Sequence, residues 1–353
     1  MDNLSKIEIA DISARNKKQA AFAMCKVSVL LLIITVLSDA VSFSLYAFLG
    51  ECADEIRRFF TWVLSLLGAQ KNAAYTAARL VMGSESFSDV LSFVTTFVSL
   101  VLPCAVFARF EGVSGQESFN VRGRLVKGFV PIFCLCHLFT TLASVFAGTI
   151  SDFMLPGAAS VYAESTGVMA HEFNAYEFAI NILCTSIFVP LVEEYVFRGV
   201  IFSYLRRFGT VFGIVSSATV FAIAHLSPVQ SVYAFVFGLF SAVMVVVTGN
   251  IKTSILLHAG NNFLTVVLGY VLGELDLSGF NVVSSIYMIV VSAIGIYGLY
   301  HFCRTDGIVH ELQNRAQEKD AELVVKPGIG QIVVLPLAVY ILYYAGSFLI
   351  TVM

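Results

Sequence analysis

Long apolar stretches alternate with short polar connections along the whole chain. Each stretch is close to the roughly 20 residues that a helix needs to cross a bilayer. The alternation of single apolar and polar residues that is typical of membrane barrel strands does not recur. The pattern therefore predicts an all-α fold, a polytopic transmembrane bundle of about eight to nine helices. The candidate spans lie near residues 22–49, 86–108, 128–150, 176–205, 211–227, 229–248, 253–273, 281–301 and 330–353.

Composition supports the same class of protein. Hydrophobic residues make up 58% of the 353 positions and charged residues only 13%, whereas soluble domains are about 25% charged. The lipid bilayer is therefore the first expected partner. The net charge of −3 and the lack of a long basic run argue against nucleic acid as a partner. The seven cysteines form no CxxC pair, so we interpret them as packing residues.

Lys and Arg concentrate in alternate connections, which predicts an integral, multi-pass protein with a cytoplasmic N-terminus. In a bacterial cell that membrane would be the plasma membrane. Segments 1–21, 109–127 and 302–329 carry the positive charge, and the connections 151–175 and 274–280 carry none. Segment 50–85 has four Lys and Arg on the opposite side. Because its apolar run is short and amphipathic, we expect an interfacial or re-entrant helix there.

The chain divides into three predicted parts. Residues 1–175 hold N-terminal transmembrane helices with the amphipathic segment 50–85. Residues 176–273 hold the core helices with the unusual polar residues described next. Residues 274–353 hold C-terminal helices and the polar segment 302–329, which we expect to be cytoplasmic.

One apolar run contains three charges in the stretch FVPLVEEYVFRG, residues 188–199. Ionised groups in hydrocarbon cost several kcal/mol and persist only when they are paired or functional. Glu194 and Arg198 are i, i+4 neighbours and can form an ion pair. Glu193 points about 100° away around the helix. A structural ion pair explains Glu194 and Arg198, but it does not explain Glu193.

Two histidines follow in later apolar runs. His225 ends the segment FAIAH, and His258 opens HAGNN with Asn262 four residues later. The spacing of His258 and Asn262 places imidazole and carboxamide on one helix face. His137, which follows the stretch CLC in the third span, is better interpreted as a hydrogen-bonded packing residue.

Six polar residues form a set that suits water activation, namely Glu193, Glu194, Arg198, His225, His258 and Asn262. A glutamate can take a proton from water, a histidine can orient that water, and Asn262 can bind a developing oxyanion. Glu193, His225 and His258 could instead hold a catalytic Zn²⁺ with one open position, so the residues fit both a zinc mechanism and one without a cofactor. Straight helices would place the two histidines at different depths. Pro190 and Pro228 are therefore candidate break points.

The ordered motifs carry a family resemblance. EEYVFRG fits EExxxR, FAIAH fits FxxxH and HAGNN fits HxxxN, so residues 176–273 resemble the CPBP family of intramembrane proteases. That family includes CAAX prenyl endopeptidases and bacterial bacteriocin-processing and self-immunity proteins. The resemblance implies that the two glutamates activate water with support from Arg198. It implies that His225 and His258 complete the site and that Asn262 stabilises the oxyanion.

The sequence therefore favours an intramembrane endopeptidase, a CAAX-like hydrolase with either a metalloprotease or a glutamate–water mechanism. Its substrate would be a peptide precursor or the C-terminal tail of a prenylated protein. A second hypothesis is a non-catalytic membrane protein that binds a peptide or confers bacteriocin self-immunity. A transporter that uses Glu and His as proton relays is a third, and the absence of visible internal repeats argues against it.

Overall fold

A computed structural model of the protein describes residues 6–82, 85–115, 120, 128–154, 174–273, 275, 277–304, 306–320, 331–332, 337–338 and 340–341. These residues are almost entirely helical, and no strand occurs among them. The helices in chain order are α1 (Lys6–Glu51), α2 (Ala53–Leu66), α3 (Lys71–Met82), α4 (Glu85–Phe110), α5 (Phe129–Met154), α6 (Ala175–Phe208), α7 (Thr210–Ala224), α8 (Pro228–Thr248), α9 (Lys252–Gly273), α10 (Leu277–Arg304) and α11 (Asp306–Asp320).

Seven of these helices are long and apolar enough to cross a membrane, namely α1, α4, α5, α6, α8, α9 and α10. The predicted polytopic helical bundle is confirmed. The predicted span 211–227 corresponds to α7, which has only 15 residues. At 1.5 Å per residue it is about 22 Å long, shorter than a typical hydrocarbon core. The predicted ninth span, 330–353, lies mostly outside the described residues.

Helix α1 contains the first predicted span and extends well beyond it. Its 46 residues give a length of about 69 Å, more than twice the hydrocarbon thickness. Only part of α1 can therefore lie in the bilayer. Its buried apolar residues recur at helical spacing and pack against α4. They are Ala20, Ala23, Met24, Val27, Leu30, Leu31 and Ile34.

The amphipathic segment 50–85 forms two short helices, α2 and α3, which pack against each other. Arg57 Nη1 donates a hydrogen bond to the Tyr75 hydroxyl at 3.1 Å across this pair. With 14 and 12 residues, the helices are about 21 and 18 Å long. Neither is long enough to span a bilayer, which agrees with the predicted short amphipathic element.

The core helices pack at short backbone distances where small residues meet. A Cβ built on Gly238 of α8 would lie 2.9 Å from the Ala218 Cα of α7. A Cβ on Gly298 of α10 would lie 2.5 Å from the Pro131 carbonyl oxygen of α5. Since such contacts leave no room for a methyl group, these glycines set the spacing of α7 from α8 and of α5 from α10.

Part of the polar segment 302–329 is helical. Helix α11 contacts α7, α8 and α10, and its Leu312 packs against the buried core residues. The expected cytoplasmic location of this segment stays a prediction, as does the division of the chain into three parts.

Candidate active site

The helix that carries the glutamates is wound unevenly. In α6, residues 182–188 and 195–202 have π-helical hydrogen bonding, and residues 189–194 between them are α-helical. Such π-segments are rare and concentrate at functional sites. The helix continues through Pro190, so the break expected at Pro190 is wrong. Tertiary packing around α6 accommodates the proline by rewinding the preceding turn.

The missing amide hydrogen of Pro190 has a specific consequence. Val189 N–H donates to the Cys184 carbonyl, a five-residue bond, and the same spacing would pair the Thr185 carbonyl with position 190. Proline has no N–H to offer. Asn262 Nδ2 of α9 donates to this carbonyl instead, at 2.9 Å. Pro190 thereby creates the acceptor that fixes the side chain of Asn262.

Glu194 is the buried centre of the charged cluster. Its Oε1 accepts from His258 Nδ1 at 2.9 Å and lies 3.2 Å from Arg198 Nη1. Its Oε2 accepts from the Ser241 hydroxyl of α8 at 2.8 Å. The side chains of Glu194 and Arg198 are 0% and 1% exposed. The ion pair expected from their spacing is therefore present and fully enclosed, and Glu194 also has neighbours on α8 and α9.

Arg198 is held by charge and by aromatic rings. Its Nε, Nη1 and Nη2 have no hydrogen-bond partner within the described residues, so its contact with Glu194 is an ion pair by distance alone. The guanidinium carbon lies 4.2 Å from the centroid of the Phe221 ring and 5.8 Å from that of Phe237. Such cation–π contacts stabilise a desolvated guanidinium. Phe221 also separates Arg198 from the cavity described below.

Glu193 and His258 meet at the cavity surface. The Glu193 side chain is 16% exposed, and its Oε2 lies 3.7 Å from His258 Nε2. This distance is too long for a direct hydrogen bond. Since His258 Nδ1 must carry a proton to donate to the Glu194 carboxylate, the partners assign the Nδ1–H form of the ring. His258 is therefore bonded to Glu194 through Nδ1, while its unprotonated Nε2 faces Glu193 without a direct bond.

His225 lies just after the last residue of α7. Its Nδ1 is 2.8 Å from the Phe221 carbonyl oxygen, so this nitrogen carries the proton and Nε2 is left free. The next residue, Leu226, has a φ of 53°, a conformation that is uncommon outside glycine. Helix α8 then begins at Pro228, with the Ser227 hydroxyl accepting from Gln230 N–H. The expected break near Pro228 is confirmed.

These elements enclose one cavity of about 380 Å³, within the size range of small-molecule sites. Four of the six predicted site residues line it, and they come from α6, the α7–α8 turn and α9. Glu194 and Arg198 lie behind this wall. The lining residues from the predicted set are Glu193, His225, His258 and Asn262.

The proposed zinc ligands do not form a ligand set as they stand. Within the part of the chain that the structure describes, no three His, Cys, Asp or Glu side chains are arranged to hold a metal ion. His258 Nδ1 and His225 Nδ1 each donate to a protein oxygen, so only the Nε2 atoms of these rings could bind a metal.

Sequence reasoning missed two kinds of residue at this site. Ser241 lies in an otherwise apolar span, and only its contact with Glu194 identifies it. The lining of the cavity also includes residues outside the motif-bearing helices. No spacing rule links those residues to the motifs, because they approach through tertiary packing.

The fold and the site define an integral, multi-pass membrane protein with a polar, carboxylate-containing cavity among its helices. Residues 175–264 match the family model described as type II CAAX prenyl endopeptidase, Rce1-like. This match confirms the resemblance to the CPBP/CAAX protease family and supports CAAX-type intramembrane protease activity in general. It includes all six predicted site residues. Comparisons with curated proteins and with solved structures gave no match.

Proposed function

We propose that the protein is an intramembrane endopeptidase that hydrolyses a peptide bond near the membrane surface, in a peptide precursor or a prenylated C-terminal tail. The observation that supports this most is that Glu193, His225, His258 and Asn262 line one cavity. The buried Glu194 and Arg198 support that wall from behind. A purely structural ion pair requires none of the four cavity residues.

Glu193 is the proposed base. Its carboxylate is the one exposed to the cavity, while both oxygens of Glu194 are occupied by Arg198, His258 and Ser241. A water in the cavity would donate one hydrogen to Glu193 and the other to His225 Nε2. Its oxygen would then attack the carbonyl carbon of the peptide bond.

Asn262 is the proposed oxyanion donor. One N–H of its amide is held by the Thr185 carbonyl, and the second remains for the oxygen that becomes negative in the tetrahedral intermediate. Collapse of the intermediate breaks the C–N bond, and Glu193 returns the proton to the leaving amine. His258 is fixed by Glu194 at Nδ1 and lies beside Glu193 at the cavity surface.

The test is hydrolysis of a quenched prenyl-peptide panel by the purified full-length protein, with and without a chelator. Glu193→Gln keeps the size of the side chain but removes the base, so kcat should fall by about 10² to 10⁴. Glu177→Gln, the same change in the first turn of α6, is the matched control and should retain activity.

Cleavage that survives the chelator would support the glutamate–water mechanism, and cleavage that the chelator abolishes would support a metal-dependent one. Undiminished turnover by a folded Glu193→Gln variant would remove Glu193 from the mechanism. If the wild-type protein binds the peptides but cleaves none, the non-catalytic peptide-binding hypothesis replaces this one.

A further inference from the structure

The cavity has a second polar wall besides the motif residues. His137 of α5, Asn261 of α9 and Tyr287 of α10 all line it. His137 Nδ1 lies 2.9 Å from Asn261 Oδ1, and His137 Nε2 lies 2.7 Å from the Tyr287 hydroxyl. Three helices are thus joined through one imidazole. The hydrogen bonds expected for His137 are present, and they lead into the cavity.

The direction of these bonds follows from chemistry. An amide oxygen only accepts, so His137 Nδ1 carries the proton and donates to Asn261 Oδ1. Nε2 then has a lone pair and accepts from the Tyr287 hydroxyl. In this arrangement the Asn261 amide has Oδ1 towards His137 and Nδ2 on the other side.

Asn261 Nδ2 keeps both of its hydrogens. Within the described residues it makes no hydrogen bond, and it is not among the side-chain atoms that are buried without a partner. An accessible donor on a residue that lines the cavity is available to a ligand. The neighbouring Asn262 differs, because one of its hydrogens is already held by Thr185 O.

The charge of the cavity limits what this donor can bind. None of the described lining residues is Lys or Arg, and Glu193 contributes a carboxylate. An anionic group would meet this carboxylate without a compensating cation, at considerable cost. A neutral acceptor has no such cost. The main-chain carbonyl of a peptide is the neutral acceptor that every peptide substrate carries.

We propose that Asn261 Nδ2 donates to a non-scissile main-chain carbonyl of the bound peptide, and that His137 and Tyr287 are positioning residues for this donor. The proposal rests on the proposed function for the identity of the ligand as a peptide. In this proposal the two adjacent asparagines bind different carbonyl groups. Asn262 donates to the carbonyl that reacts, and Asn261 donates to a second carbonyl and so sets the register of the bound peptide.

The test is a double-mutant cycle on the peptide's Kd, which combines a substitution of Asn261 in the protein with an amide-to-ester substitution in the peptide backbone. The probe is a fluorescent S-farnesyl-Cys-Val-Ile-Ala peptide, made with amides throughout or with one ester in place of each amide in turn. Kd is measured by anisotropy in the Glu193→Gln protein, with and without Asn261→Ala. A lost hydrogen bond of this kind should raise Kd roughly two- to twelvefold.

An ester carbonyl is a weaker acceptor, so one ester should weaken binding in the presence of Asn261 and have little further effect after Asn261→Ala. Tyr287→Phe should raise Kd less than Asn261→Ala does. It should also reduce the coupling energy between Asn261 and the ester position, which is the non-additive part of their effects on Kd. Thr149→Val is the control on α5, because Thr149 is exposed and its hydroxyl donates to its own helix at Val145 O. It should leave Kd unchanged.

Additive effects at every ester position would overturn the proposal. So would an Asn261→Ala effect that disappears when the terminal carboxylate is replaced by a carboxamide, since the ligand would then be that carboxylate. The cycle does not depend on turnover. If the wild-type protein cleaves nothing but the coupling is present, the proposed function fails and the peptide-binding site stands.

Discussion

The buried pair of Glu194 and Arg198 makes a strong prediction about stability. The two side chains are 0% and 1% exposed and 3.2 Å apart. At an effective dielectric constant of about 20, Coulomb's law gives an attraction of roughly 5 kcal/mol at this distance, an upper bound for delocalised charges. Removing one partner leaves the other charge without compensation in a site that water does not reach.

Glu194→Gln keeps the shape of the side chain and leaves the Arg198 guanidinium buried and unpaired. We expect the free energy of unfolding to fall by about 3 to 5 kcal/mol. In the double variant Glu194→Gln/Arg198→Met no buried charge remains. It should be more stable than Glu194→Gln alone, with a coupling energy of at least about 2 kcal/mol.

The assay is unfolding in mixed micelles of increasing dodecyl sulfate fraction, followed by circular dichroism. Glu55→Gln is the control, because Glu55 and Arg58 form an ion pair on α2 with side chains 62% and 71% exposed. This substitution should change the free energy by less than about 1 kcal/mol. Additive effects of Glu194→Gln and Arg198→Met would show that the pair does not neutralise a buried charge, and would refute the reasoning.

Three further predictions concern contacts around the same helices. Ser241→Ala removes the hydroxyl that donates to Glu194. It should lower the free energy of unfolding by about 1.5 to 3 kcal/mol in the unfolding assay. In steady-state kinetics it should lower kcat more than it raises KM. Pro190→Ala restores an amide hydrogen opposite the Thr185 carbonyl, so the destabilisation caused by Asn262→Ala should be about 1 kcal/mol smaller in that background; equal losses in both backgrounds would contradict this. Gly298→Ala places a methyl group against Pro131 O and should cost about 1 to 3 kcal/mol, whereas Gly50→Ala, with open space around it, should cost almost nothing in the same unfolding assay.

Much of the architecture was predictable because hydropathy is a local property. A run of about 20 apolar residues can satisfy its backbone in a bilayer only as a helix, whatever its neighbours are. The ion pair of Glu194 with Arg198 was predictable for a similar reason, since an i, i+4 spacing brings two side chains together within a single helix. The order of the three motifs along the chain is also visible in the sequence, because it does not depend on how their helices pack.

Helix winding was harder to predict. Proline at position 190 reads as a break, yet α6 continues through it in a mixture of π- and α-helical turns. The packed neighbours decide this outcome, because Asn262 of α9 satisfies the carbonyl that the proline leaves without a partner. The same local signal at Pro228 does begin a new helix, since the chain turns there at Leu226.

The sequence by itself determined the class of protein, the main apolar helices and a candidate set of site residues. Only the tertiary structure decided which glutamate faces the cavity, because adjacent residues on one helix differ only in what packs against them. Ser241 and His258 approach Glu194 from α8 and α9 and leave Glu193 exposed. The second wall, with His137, depends likewise on contacts between distant helices, which no local spacing encodes.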